Sequence, residues 1–123
     1  MPIHLDHTIV PAHDKVESAK FIARMLGLEY SGTWGPFAPV KVDEHLSLDF
    51  DDRREVTHHH YAFLVTDQEF DDILGRVKGE NVTYGSSPSS RTDGQINHEH
   101  GGRGFYFTDA NGHSWEVITH TYV

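Results

Sequence analysis

The chain repeats itself. His7 opens His7-Thr8-Ile9-Val10, and His60 opens the similar run His60-Tyr61-Ala62-Phe63-Leu64-Val65. Seven residues after each histidine stands an aspartate, Asp14 and Asp67, where a helical pattern starts. Each helical pattern runs into a short segment carrying a tyrosine, Tyr30 and Tyr84. Each half ends in a strand-like run with a carboxylate at its centre, Leu48-Asp49-Phe50 and Trp115-Glu116-Val117. One such unit would leave a sheet face bare, so the duplication restricts the chain to two units packed side by side.

Local patterns fill in the units. Ile3, Leu5, His7 and Ile9 share one face of a strand that Pro11 ends. Asp14 and Glu17 form a capping-box pattern, and Ala19, Ile22 and Leu26 make the apolar stripe of the helix that follows, with Gly27 at its C-terminus. Residues 28–33, 37–42 and 46–50 read as short strands separated by Gly35-Pro36 and Asp43-Glu44 turns. The polar stretch from Asp51 to Thr57 connects the halves. The second half begins with a strand over 59–65. Thr66 and Glu69 cap a helix whose Phe70, Ile73, Leu74 and Val77 recur at helical spacing. A short strand over 81–85 precedes a mobile loop from Ser86 to Gly94, and 95–98 reads as another short strand. Strands 104–108 and 114–120 are joined by Asp109-Ala110-Asn111-Gly112, whose Asn-Gly pair marks a hairpin. The order is βαβββ, twice. Two such units can bend into one curved mixed sheet with an internal cup and helices outside, an α+β fold.

Composition removes several function classes. The 123 residues suit one domain, and the absence of cysteine excludes disulfides, thiolate zinc sites and a cysteine nucleophile. A net charge of -9 with no basic stripe argues against nucleic acid. No secretory signal and no membrane-length apolar run are visible, so a cytoplasmic location is expected.

Three segments carry a family resemblance: Leu5-Asp6-His7-Thr8-Ile9-Val10, His60-Tyr61-Ala62-Phe63, and the run from Gly101 through Asp109-Ala110-Asn111-Gly112-His113-Ser114-Trp115-Glu116 to Val117. In these the chain resembles the vicinal oxygen chelate superfamily, which contains glyoxalases, bleomycin-resistance proteins and extradiol dioxygenases. The resemblance covers nearly the whole chain in element order. It implies one domain over 1–123, with repeat 1 at about 1–52 and repeat 2 at about 57–123. It also implies metal ligation by His7, His60 and Glu116, with Asp49 at the position where glyoxalase-type members add a fourth ligand. A homodimer is the assembly it implies.

Two neutral imidazoles and one carboxylate suit a single Fe, Mn, Ni, Co or Zn ion and leave positions open for a small substrate with adjacent oxygens. Such a site serves dioxygenase-like or glyoxalase-like chemistry. Asp49 can ligate directly, act through a bound water, or serve as a base. His100 can relay a proton and Arg103 can grip a substrate anion, or Arg103 can simply pair with one of the many acids. The other histidines, His4, His13, His45, His58, His59, His113 and His120, read as packed or surface residues, and Phe37, Tyr61, Phe105, Phe107, Trp34 and Trp115 as mostly core. The rival reading is a metal-free drug-binding protein of the bleomycin-resistance type.

Overall fold

The computed structural model describes residues 3–123. The chain divides into two compact units, Met1–Thr57 and His58–Val123. The first contains strand β1 (His7–Pro11), helix α1 (Lys15–Leu26), β2 (Ala38–Lys41) and β3 (Ser47–Asp51). The second contains β4 (His60–Leu64), α2 (Asp67–Gly79), β5 (Tyr84–Gly85), a 3-10 turn over Glu99–Gly101, β6 (Gly104–Thr108) and β7 (Ser114–Ile118). One sheet has the order β1-β3-β2 and the other β4-β7-β6-β5. In each, the first strand runs parallel to the last and the remaining pairs are antiparallel, so the fold is α+β with mixed sheets.

Helix starts follow the sequence. Thr66 accepts from Glu69 N–H at 3.1 Å, while the Glu69 carboxylate takes the Thr66 N–H at 2.8 Å, a complete capping box. At α1, Asp14 accepts from Glu17 N–H at 3.1 Å, and Gly27 closes the helix in the left-handed conformation at φ 71°. Each helix covers one sheet face. In the first unit Val10, Val40, Leu48 and Phe50 are buried together with Ala19, Ile22 and Met25. In the second, Phe70 of α2 meets Phe105 edge-on at 5.3 Å, and Phe107, Trp115 and Val117 are fully buried. Each such side chain adds about 1.5–3 kcal/mol.

The two units are not equal. Residues 28–33, expected as a strand, make only an isolated bridge, Tyr30 to Val40. The second unit builds β5 at the matching place, with Tyr84 opposite Phe107. Proline explains the loss. Val42 N–H donates to Leu46 O, so alternation turns the Val40 and Ala38 amides toward β3 and position 39 toward the outer edge. Pro39 stands there without an N–H, so the outer edge lacks a donor and pairing stops at that one bridge. Residues 95–98 likewise contribute one bridge, Asn97 to Gly104, and no strand. The Ser86–Gly94 loop, expected to be mobile, is braced by Asp93, which accepts from Ser86 N–H at 3.0 Å and Ser86 Oγ at 2.5 Å.

The connection between the halves holds a buried acid. Asp51 is fully buried and takes Arg53 Nε at 3.0 Å, Arg53 Nη2 at 3.1 Å and Arg54 Nε at 3.1 Å. These guanidinium bonds, Arg53 foremost, hold its carboxyl well below the usual range. Among the described residues no helix is long and apolar enough to cross a membrane.

Candidate functional site

In the second unit, strand alternation sorts the residues. Tyr61, Phe63, Trp115, Phe105 and Phe107 stack together on the helix-covered face. The opposite parity carries His60, Glu116 and Tyr106. His60 lies opposite Ser114 in the parallel ladder, and Glu116 lies two residues further along β7. The imidazole reaches across: His60 Nε2 is 2.9 Å from Glu116 Oε1. Two ligands held at about 2.1 Å from one ion at right angles stand about 3 Å apart, so this pair is spaced to serve as adjacent ligands of a divalent cation.

Tyr106 completes the pair and was not foreseen. It stands opposite Glu116 in the antiparallel register and donates its hydroxyl to that carboxylate. Burial, then the Glu116 bond, push its phenol up to about 12, so it remains a donor at neutral pH. The hairpin was legible in Asn111-Gly112, and counting outward from it pairs 106 with 116; that was the available signal. Asp109 fixes the hairpin by accepting from Asn111 N–H at 2.9 Å, His113 N–H at 3.0 Å and Trp115 Nε1 at 3.0 Å. This is the physical reason for the Asp-x-Asn-Gly turn. His113 is fully buried behind it, accepting His59 N–H at 3.0 Å.

The first unit repeats the register. His7 lies opposite Ser47, and Asp49 lies two residues beyond. Its wiring differs. Ser47 Oγ donates to Asp49 Oδ1 at 2.7 Å, and Pro39 occupies the ladder position that Tyr106 holds in the other half. His7 Nδ1 is 2.8 Å from Asp6 Oδ2. That contact first, and the nearby Asp49 charge next, raise the imidazole's affinity for a proton. A carboxylate on Nδ1 leaves Nε2 as the free ligand nitrogen, the arrangement common behind metal-bound histidines. Beside His7 and Asp49 opens a cavity of about 380 Å³, lined also by Ser47, Trp34, Phe37 and Pro39. Trp34, expected among the core aromatics, is instead 74% exposed at its rim.

Thus His60 meets Glu116 in one unit, and His7 shares a sheet face with Asp49 in the other. Among the described residues no three His, Asp or Glu side chains gather closely enough to hold an ion. Arg103 and His100 precede β6 and have partners of their own. Arg103 donates to Asp71 at 2.8 Å and Asp67 at 2.9 Å, lies 4.3 Å over the Phe70 ring, and so ties the start of β6 to the N-terminal half of α2. His100 sits in the 3-10 turn at φ 57°, with Nε2 3.8 Å from Glu99 and its ring 5.9 Å from Tyr122.

Comparison with known proteins gives three informative likenesses. The solved structure of oxidase ChaP-H2 is 50% identical, covers 99% of this chain and 97% of its own, and superposes with a TM-score of 0.92. The glutathione transferase FosA of Serratia marcescens is 28% identical, covering 92% of this chain and 78% of the relative. The fosfomycin resistance protein FosX of Listeria monocytogenes, solved with Mn(II) and sulfate, is 21% identical over 99% of this chain and 94% of its own, with a TM-score of 0.69, a likeness of fold. No family profile matches the sequence.

Proposed function

The chain belongs to the vicinal oxygen chelate superfamily, and from that premise we propose that it is a divalent-metal-dependent oxidase acting on a small substrate with two adjacent oxygens. The observation that carries this reading is the matched register. His7 faces Ser47 with Asp49 two residues on, and His60 faces Ser114 with Glu116 two residues on. A duplication retained at chemistry-bearing positions, with one pair at ligand spacing, fits a metal enzyme better than a metal-free drug trap.

The proposed ligands are His7, His60 and Glu116. The ion supplies Lewis acidity toward adjacent substrate oxygens and, when redox-active, electrons for dioxygen. The residues around it do the rest. Asp6 orients His7 through Nδ1, and Tyr106 fixes the Glu116 carboxylate with a hydroxyl that stays protonated. Asp49, steadied by Ser47, presents a proton acceptor to the cavity that Trp34 and Phe37 border. One methylene shorter than Glu116 and already bonded by Ser47, it is assigned to proton transfer rather than ligation.

Oxidase chemistry is favoured over lyase chemistry because the relative sharing half its residues is named an oxidase. The FosA likeness supplies the competing reaction, transfer of glutathione. The test is oxygen uptake by protein loaded with Fe(II), Mn(II) or Co(II) and offered catechols and other substrates with vicinal oxygens. Metal-dependent oxygen consumption is expected. No uptake with any of them, together with glutathione consumption in the presence of fosfomycin or isomerisation of 2-oxoaldehyde adducts, would overturn the oxidase reading in favour of group-transfer or lyase chemistry. This reading also expects a homodimer, checked by analytical ultracentrifugation.

A further inference from the structure

Among the described residues, one buried side-chain polar atom has no hydrogen-bond partner: Ser114 Oγ. The residue is 4% exposed, so its hydroxyl has given up water and gained nothing in return. Such groups are rare enough that each asks for a reason.

Position supplies one. Ser114 lies opposite His60 and two residues before Glu116, on the same face of β7. Its register counterpart in the other half is Ser47, opposite His7 and two residues before Asp49. Ser47 is not idle; it donates to Asp49 at 2.7 Å. In the second half the corresponding carboxylate already has donors, His60 Nε2 at 2.9 Å and the Tyr106 hydroxyl. A nitrogen that ligates a cation carries no hydrogen. When His60 Nε2 turns to an ion, Glu116 loses that donor while an unused hydroxyl lies two residues back on the same face of β7.

We propose that Ser114 is a positioning residue that donates its hydroxyl to Glu116 when His60 and Glu116 hold a divalent cation, as Ser47 does for Asp49. This rests on the metal-enzyme reading above. The hydroxyl is stranded while His60 and Glu116 bind each other and is satisfied when both bind the ion. The burial penalty therefore falls on the metal-free state and is relieved by metal, which tightens binding.

The experiment is a Co(II) titration of the metal-free full chain, followed by its visible absorption band, on wild type, Ser114→Ala and the isosteric pair Ser114→Thr and Ser114→Val. Loss of the hydroxyl is expected to weaken Co(II) binding by about 10–100-fold, the range for partners behind a metal ligand, and to shift the band. Ser114→Thr is expected to retain affinity where Ser114→Val, of the same shape, loses it. The metal-free Tm of Ser114→Ala is expected to stay level or rise, because a stranded polar group has been removed. A purely structural serine would do the reverse: lower that Tm and leave affinity alone. Equal Co(II) affinity and an unchanged band in the Ala and Val variants, or equal weakening in Thr and Val, overturns the proposal while the metal reading stands. Failure of the wild type to bind Co(II) overturns both, and His60→Ala marks that baseline.

Discussion

The two halves share a ladder and differ in what they do with it. In the second, the carboxylate at the centre of the last strand is gripped by a histidine and a tyrosine. In the first, the carboxylate at the same register has a serine for its donor and a proline as its cross-strand neighbour, and it borders a cavity. The same contrast runs through the sheet edge. Tyr106 keeps a backbone N–H and pairs with Gly85 of β5, whereas Pro39 has none and the first sheet stops at β2. One substitution in the duplicated unit thus trims a strand and removes a carboxylate's partner. The lesson is that register is preserved by the fold, while function is divided by the side chains placed on it.

Four substitutions sharpen or break this contrast. The largest effect belongs to Trp115→Ala, which empties a fully buried site, removes the bond to Asp109 and unstacks Tyr61 at 4.7 Å. A loss of about 3–5 kcal/mol is expected in urea unfolding, exceeding that of Leu48→Ala at the equivalent place in the first half. Equal losses would mean that the halves are equivalent after all. Next, Asp49→Asn is expected to lower kcat about 100-fold or more while metal stoichiometry stays unchanged. Loss of metal instead would show that the two carboxylates do the same job. Tyr106→Phe comes third: a roughly tenfold weaker metal affinity in isothermal titration, with little change in kcat at saturating metal. No change in affinity would remove the hydroxyl from the account.

The smallest effect is confined to acid. Asp51 occupies the register position that Ile118 takes in the second half. Its folded carboxyl is held below its ordinary value of about 3.9, so the stability it contributes is present above that value and lost as pH falls through the lower range. Asp51→Asn is expected to cost about 1 kcal/mol at pH 7, since its arginine partners reach solvent, and progressively less below about pH 4. A gap that stays constant with pH would show that the carboxylate's charge is irrelevant.

Much of this was legible in the chain. The duplication exposed the paired histidines and carboxylates, and the caps and the Asn-Gly hairpin fixed the elements around them. What was not legible depends on register and on competition between partners. Residues 28–33 have strand-like content, yet Pro39 on the neighbouring strand removes the donor they need, a fact invisible until the two are aligned. Arg103 offered both substrate binding and acid pairing in sequence; the N-terminal half of α2 puts Asp67 and Asp71 where they take both ends of its fork. Trp34 has core composition but sits on a turn beside the cavity, bridged only to Phe37. Ser114 reads as an ordinary strand serine, and only burial makes it conspicuous.

The most direct test is metal content by mass spectrometry, on protein purified without a polyhistidine tag and then saturated with Mn(II) and desalted. The wild type should carry about one ion per chain, and His7→Ala, His60→Ala and Glu116→Ala should each lose it while remaining folded by circular dichroism. A wild type that retains no ion, or histidine variants that retain it undiminished, would contradict the account.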